Sequence, residues 1–134
     1  MRIVLDTNVI VSGHLSPRGT PAEILKRVSA DELTLCYDAR IFTEYEQVLR
    51  RPQFDIPGDS IDSFLDQLGR YGEMTIGTFL DTPLPDPDDR PFLEVALAAK
   101  VPLVTGNLRD FPVSHRMGVL VISPADFYKS LCEK

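Results

Sequence analysis

Short apolar runs alternate with amphipathic segments along almost the whole chain. The segments between the runs repeat their apolar residues every three or four positions, as one face of a helix does. The runs predicted as strands are 2–5, 33–37, 74–76, 101–105 and 119–122. Strands that alternate with helices form a parallel sheet that is covered on both faces. We therefore predict an α/β fold, a three-layer α/β/α sandwich around a mostly parallel sheet, in a single domain spanning residues 1–134.

Several of the predicted helices have recognisable starts. Thr20 is the expected N-cap of the first helix, Asp38 of the second and Ser123 of the last. Residues 60–71 are predicted as a further helix, with their apolar residues on one face. Residues 81–100 are predicted as a Pro- and Asp-rich loop that leads into another helix.

The chain carries a formal net charge of −6. Phosphate affinity comes from Lys and Arg, so this charge argues against a protein that binds nucleic acid over an extended basic surface. A nucleic-acid enzyme with its acidic residues gathered in a metal site remains possible. Asp6 interrupts the first apolar run, so a signal peptide is not indicated, and no stretch approaches the roughly 20 apolar residues of a membrane span. We expect a cytoplasmic protein with no membrane contact.

Acidic and amide side chains follow the predicted strands. Asp6 comes directly after the first strand, and Asn107 and Asp110 follow the fourth. Asp89 opens the helix after the Pro- and Asp-rich loop, and apolar residues three, four and seven positions later place it on the inward face. Because the carboxyl ends of parallel strands form one edge of a sheet, we expect these side chains to lie close together there.

Each carboxylate also has a purely structural interpretation. An Asp after a strand is often a turn former or a helix cap, and Asp86 and Asp88 are expected to be turn and cap residues of the loop. On the second helix, Glu44 and Glu46 flank the same apolar stripe on opposite sides. The pattern alone does not decide which of the two faces the sheet edge.

Several carboxylates at one edge would require a cation. Two carboxylates about 4 Å apart repel by roughly 1 kcal/mol in water and about 4 kcal/mol at an effective dielectric of 20. Oxygen-only ligands select a hard ion such as Mg²⁺ or Mn²⁺. Such an ion polarises a phosphoryl oxygen and activates water, as phosphodiester hydrolysis requires.

Other phosphate chemistry has weaker support in the sequence. The chain contains no G-x-G-x-x-G, no G-K-[ST] and no G-x-S-x-G motif. A haloacid-dehalogenase-like phosphotransferase would use Asp6 as its nucleophile, within a D-x-D motif. Here the motif is D-T-N, with Asn8 in place of the second Asp, and Asp88 and Asp89 begin a helix rather than end a strand.

Three segments together resemble the PIN domain family. They are VLDTNVIVS near the start, IFTEYEQVLRRPQF in the middle and DPDDRPFLEVALAAKVPLVTGNLRDF later in the chain. More narrowly, they are similar to the toxin components of bacterial type II toxin–antitoxin systems, the relatives of the VapC toxins. The resemblance implies a Mg²⁺- or Mn²⁺-dependent endoribonuclease with an α/β/α fold. It also implies an RNA substrate, a cognate antitoxin and possible homodimers.

The resemblance assigns roles to residues of this chain. Asp6, Glu44 and Asp89 match the family's catalytic, metal-binding acids, which selects Glu44 over Glu46. Asn8 and Thr105 match its supporting polar positions. The fourth acidic position falls on Asn107, which offers a carbonyl oxygen but no charge, and Asp110 could compensate as a further metal ligand. Five arginines are candidate RNA contacts: Arg18, Arg50, Arg51, Arg109 and Arg116.

The departure at Asn107 keeps a second kind of function open. A PIN fold with a weakened metal site could serve as an interaction module, with little or no nuclease activity. Such a module would bind a partner but would not cleave RNA when Mn²⁺ is added.

Overall fold

The structure is a computed structural model that describes residues 1–133. Within this range the chain forms five strands and six α-helices. The strands are β1 (Arg2–Leu5), β2 (Thr34–Tyr37), β3 (Glu73–Met74), β4 (Leu103–Val104) and β5 (Val121–Ile122). The helices are α1 (Thr7–Leu15), α2 (Thr20–Ser29), α3 (Ala39–Leu49), α4 (Gly58–Tyr71), α5 (Arg90–Ala99) and α6 (Pro124–Cys132).

The five strands form one sheet in the order β3-β2-β1-β4-β5, and every neighbouring pair is parallel. The central strand β1 pairs Ile3 with Leu35 of β2 and Leu5 with Val104 of β4. Successive side chains of a strand point to opposite faces, and those of Ile3, Val4 and Leu5 are all fully buried, so helices cover both faces. The predicted α/β/α architecture is confirmed, and the sheet is entirely rather than mostly parallel.

The order in which strands are added to the sheet changes sides at β1. From β1 it passes through α1 and α2 to β2 and then through α3 and α4 to β3, always on one side of β1. From β3 it returns through α5 to β4, on the other side of β1. In an open parallel sheet, ligands bind beyond the carboxyl ends of the strands at such a switch point. Here the switch point lies between β1 and β4.

The structure corrects several local predictions. The sequence does not predict helix α1, because three consecutive buried residues at 9–11 hide the helical period. Asp6 is at the N-cap position of this helix but forms no side-chain cap hydrogen bond. Gly19, not Thr20, is the N-cap of α2, and Thr20 is the first helical residue. Strands β4 and β5 are shorter than predicted. Asp38 and Ser123 do cap α3 and α6, through the backbone N–H groups of Ile41 and Asp126.

None of the helices in residues 1–133 combines the length and the apolar composition needed to cross a bilayer.

Candidate functional site

Asp6 and Thr105 face each other across the switch point. Asp6 follows β1, Thr105 follows β4, and their side chains are buried, with 5% and 0% of their surface exposed. The Thr105 hydroxyl donates to Asp6 Oδ2 at 2.7 Å and accepts the backbone N–H of Asn107 at 3.1 Å. Because the hydroxyl accepts from Asn107, its own hydrogen is directed to the carboxylate.

Asn8 links the start of α1 to the segment after β4. Its side-chain oxygen accepts the backbone N–H of Gly106 at 3.3 Å, and its side chain is exposed. The two supporting polar residues expected from the sequence, Asn8 and Thr105, therefore both bridge the carboxyl ends of β1 and β4.

Glu44 and Glu46 lie in different surroundings. Glu44 is half-buried and accepts a hydrogen bond from the hydroxyl of Thr7, the residue after Asp6. Glu46 instead pairs with Arg50 one helical turn further on, at 3.4 Å. The geometry thus brings Glu44, and not Glu46, to the end of β1.

Tyr45 fixes helix α3 against the central strand. Its hydroxyl donates to the carbonyl oxygen of Leu5 at 2.5 Å, and its ring is completely buried between Phe64 and Phe92. The sequence analysis did not single out Tyr45. The available signal in the sequence was a tyrosine within the apolar stripe of α3, next to the candidate acid Glu44. A buried Tyr hydroxyl requires a hydrogen-bond partner.

Asp89 ends the short 3₁₀ turn Pro87–Asp89 that precedes α5, and it is half-buried. Its Oδ2 atom is buried and has no hydrogen-bond partner within residues 1–133. Burial first, and then the charges of Asp6, Asp110, Asp86 and Glu44, raise its pKa to about 8. The shift favours the protonated form of this carboxyl at neutral pH.

The predicted loop and cap residues also lie near this edge. Asp86 accepts the backbone N–H of Asp88 at 2.9 Å, so its expected capping role is confirmed. The exposed Asn107 donates from Nδ2 to Asp110 Oδ2 at 2.8 Å, and Asp110 ends a short 3₁₀ helix, Leu108–Asp110. The side-chain amide of Asn107 thus holds the Asp110 carboxylate in place, and the side-chain oxygen Oδ1 of Asn107 forms no hydrogen bond within residues 1–133.

The carboxylates act on one another electrostatically. Burial raises the pKa of Asp6 against the opposing hydrogen bond from Thr105, and the charges of Asp110 and Asp86 raise it further. Burial likewise raises the pKa of Glu44, which also experiences the charge of Asp6. Within residues 1–133 no Lys or Arg forms an ion pair with any member of this cluster, which comprises Asp6, Glu44, Asp86, Asp89 and Asp110.

The donor chemistry of this carboxylate cluster fits a hard divalent cation. All its members offer oxygen, and the partnerless Oδ2 of Asp89 has a free ligand position. As the side chains stand, however, no three His, Cys, Asp or Glu residues among 1–133 are arranged so that they could hold an ion. The residue types suit Mg²⁺ or Mn²⁺, and the side chains would have to move to coordinate one.

The predicted RNA-contact arginines differ in their exposure and in their partners. Arg18, Arg51 and Arg109 are exposed, and Arg116 donates to the backbone oxygen of Phe111 at 2.7 Å. Arg50 is engaged by Asp62 and Glu46. None of the five forms an ion pair with the carboxylate cluster within residues 1–133.

Sequence reasoning missed a buried ion pair beside the site. Glu94 of α5 is 2% exposed, and it accepts from Arg40 at 2.7 Å and from the backbone N–H of Leu80 at 2.8 Å. Arg40 also pairs with the cap residue Asp38 at 2.7 Å. The signal in the sequence was Glu94 itself, a charged residue within the apolar stripe of α5. A buried Glu requires a charged or hydrogen-bonding partner, so the position indicated an ion pair.

Comparison with known proteins gives one family and one informative fold relative. The family model described as PIN domain matches residues 2–109. The crystal structure of VapBC2 from Rickettsia felis, bound to a DNA fragment from their promoter, contains a similar chain with a TM-score of 0.59 and 15% sequence identity. The similarity covers 92% of this chain and 98% of that one, and at this identity it bears on the fold alone. No curated protein matches significantly.

Proposed function

The chain belongs to the PIN domain family, and on this basis we propose that it is a Mg²⁺- or Mn²⁺-dependent endoribonuclease, the toxin of a toxin–antitoxin pair. The family assignment supports a nuclease that uses divalent metal ions. The observation that carries the proposal is the carboxylate cluster at the switch point, which has no cationic side chain paired with it in the described residues and includes a buried, partnerless oxygen of Asp89. RNA as the substrate, and a single domain spanning residues 1–134, are parts of the same proposal.

Asp6, Glu44 and Asp89 are the proposed ligands of the ion, with Asn107 and Asp110 as further donors. A divalent ion bound there would polarise a phosphodiester group and activate a water molecule for its hydrolysis. Thr105 orients Asp6 through its donated hydrogen bond. The raised pKa of Asp89 favours its protonated form, so Asp89 would release a proton when it serves as a ligand.

Asn107 contributes less charge than an acid would at its position. Asp110 supplies a carboxylate beside it, and the 2.8 Å bond from Nδ2 of Asn107 leaves the side-chain oxygen Oδ1 of Asn107 available as a ligand. We therefore propose an active enzyme. Its metal affinity would be lower than that of a site with one more acid.

Some contacts to RNA and protein partners belong to this proposal as well. Arg18, Arg51, Arg109 and Arg116 remain candidate phosphate contacts, whereas the carboxylates that engage Arg50 weaken its case. The fold relative is part of a VapBC complex, which supports a cognate antitoxin for this chain. Homodimer formation and a cytoplasmic location complete the proposal.

A second candidate function is an interaction module with little or no nuclease activity. Asn107 in the fourth acidic position favours it, as does the lack of a ready three-ligand arrangement within residues 1–133. The phosphotransferase alternative, with Asp6 as nucleophile, has no further observation in its favour.

The deciding experiment is cleavage of structured RNAs with Mg²⁺, with Mn²⁺ and with EDTA. Cleavage that requires the ion and is lost in Asp6→Asn supports the nuclease. The matched control is Asp66→Asn, which removes an equal charge from the exposed Asp66–Arg70 pair of α4. Absence of cleavage with both ions, in a protein that still binds a partner, would favour the module.

A further inference from the structure

A cleft of about 410 Å³ opens between helix α3 and the start of α5. Its residues are Arg40, Thr43, Glu44 and Gln47 on one side and Pro87, Asp88, Arg90 and Pro91 on the other. We call it the α3–α5 cleft. Glu44 belongs both to this cleft and to the carboxylate cluster, so the two are continuous. The volume lies within the ~300–1,000 Å³ range of small-ligand sites.

The α3 side of the cleft presents unused polar groups. Thr43 and Gln47 are one helical turn apart and therefore lie on one face, next to Glu44. Both are exposed, and the side chain of neither forms a hydrogen bond within residues 1–133. These groups can donate to or accept from a ligand without first losing a partner in the protein.

Arg90 is the available cation on the opposite side. It follows Asp88 and Asp89 directly, yet it forms no ion pair within the described part of the chain. Its Nε is buried without a hydrogen-bond partner, and its Nη2 donates only to the Thr82 carbonyl oxygen, at 3.5 Å. Arg40, in contrast, is occupied by Asp38 and Glu94, each at 2.7 Å.

We propose that the α3–α5 cleft binds the phosphodiester next to the cleaved one in a single-stranded RNA substrate. Arg90 holds that phosphate, and Thr43 and Gln47 contact the adjoining nucleoside. The inference rests on the proposed nuclease function, because a polymer cleaved at the carboxylate cluster must continue beyond it. The two Nη groups of a guanidinium suit a phosphate, since they can donate two parallel hydrogen bonds to it, and in Arg90 their one hydrogen bond within residues 1–133 is at 3.5 Å.

The experiment measures binding without cleavage. An Asp6→Asn protein is titrated against a short fluorescent single-stranded RNA in the presence of Mg²⁺, and anisotropy gives Kd at several salt concentrations. Adding Arg90→Gln is expected to raise Kd about tenfold and to lower the slope of log Kd against log salt by about one. Arg90→Lys should keep the slope and recover part of the affinity.

Two further variants guard this test against misfolding and non-specific charge effects. Gln47→Ala changes an exposed helix residue, so it should fold normally, and we expect it to raise Kd roughly threefold. Arg70→Gln removes an equal charge from an exposed arginine of α4 that pairs with Asp66, and it should leave Kd unchanged.

The outcomes separate the cleft from the nuclease. Unchanged Kd and salt slope in Arg90→Gln, or no RNA binding by Asp6→Asn at low salt, would overturn the cleft. If the unmodified protein cleaves no RNA with Mg²⁺ or Mn²⁺ but Arg90→Gln still weakens RNA binding, the proposed binding role of the cleft is supported and the proposed nuclease activity is contradicted. In an active protein, Arg90→Gln should raise KM about tenfold with little change in kcat, because the contact is equal in ground and transition states.

Discussion

Thr105 donates a hydrogen bond to Asp6 between two neighbouring strands, although the two residues are 99 positions apart in the chain. Asp6 also donates its backbone N–H to the carbonyl oxygen of Val104 at 2.9 Å. The first acid of the carboxylate cluster is therefore held by both backbone and side chain on the β4 side. Its orientation depends on the sheet rather than on a mobile loop.

Removing the Thr105 hydroxyl should affect stability and activity together. Thr105→Val keeps the shape but leaves the Asp6 carboxylate and the Asn107 N–H without this partner. We expect a loss of about 1–3 kcal/mol in the free energy of unfolding, measured with urea, and about a tenfold loss of RNA cleavage. Thr105→Ser retains the hydroxyl and is the control, so an equal loss in Thr105→Ser would contradict this role.

Asp89→Asn should stabilise the metal-free protein at neutral and higher pH. The folded-state pKa of Asp89, about 8, is above its ordinary value of 3.8, so the native state binds the extra proton. The favourable contribution of the protonated form is complete below about pH 4 and is lost as the pH rises through 8. We expect the variant to gain about 1–2 kcal/mol at pH 8, discounted for solvent screening, and almost nothing at pH 4. Thermal melts in EDTA across this range test it, with the exposed Asp81→Asn as control.

Metal binding should raise Tm and release protons. Millimolar Mn²⁺ would offset the repulsion within the carboxylate cluster, so Tm should rise by several degrees in the unmodified protein and much less in Asp6→Asn. The ion must displace the proton on Asp89, so its affinity should increase between pH 6 and 8. Titration calorimetry in two buffers of different ionisation enthalpy measures the released proton. Equal heats in both buffers would argue against displacement from Asp89.

Asn107→Asp should raise the affinity for metal and lower the stability of the metal-free protein. The added carboxylate supplies a charge that the Asn107 amide lacks, so the Kd for Mn²⁺ should fall about tenfold. Without metal, the variant loses the amide donor to Asp110 and adds repulsion, which should cost about 1 kcal/mol. Asn107→Ala loses the same hydrogen bond without adding charge, so it should be destabilised but should not bind Mn²⁺ more tightly.

Glu94→Ala should loosen the segment that leads to Asp89. The change leaves Arg40 with one partner fewer and the backbone N–H of Leu80 unsatisfied, so we expect a loss of about 3 kcal/mol. Limited proteolysis should then cleave faster within residues 77–86. Glu23→Ala, which breaks an exposed pair with Lys26, should cost less than about 0.5 kcal/mol.

Local pattern was sufficient for the frame of the site. The apolar run before Asp6 predicted β1, and the spacing of apolar residues after Asp89 predicted its inward face. Both predictions hold because each depends on residues within one segment. The first depends on a continuous apolar run and the second on the helical period. The carboxyl-edge rule for parallel sheets then brings Asp6 near Asp89, whose charges act on each other.

The remaining features depend on contacts between segments that are distant in the chain. In the sequence, Glu44 and Glu46 flank the same apolar stripe of α3. The contact that brings Glu44 to the end of β1 is with Thr7 of α1, a residue distant in the chain. Helix α1 is packed against both α2 and α3, so its apolar residues do not show the single stripe of an amphipathic helix. The ion pair of Glu94 and Arg40 joins α3 to α5, and no spacing rule relates those two positions.

Placing β1 in the middle of the sheet has a consequence for protein synthesis. Strand β1 is synthesised before β2 and β3, and its neighbour on the other side, β4, is synthesised only after both. A nascent chain therefore carries Asp6 throughout the synthesis of β2 and β3 without the Thr105 hydroxyl that orients it. Any activity that depends on the carboxylate cluster would therefore begin only after β4 has joined the sheet.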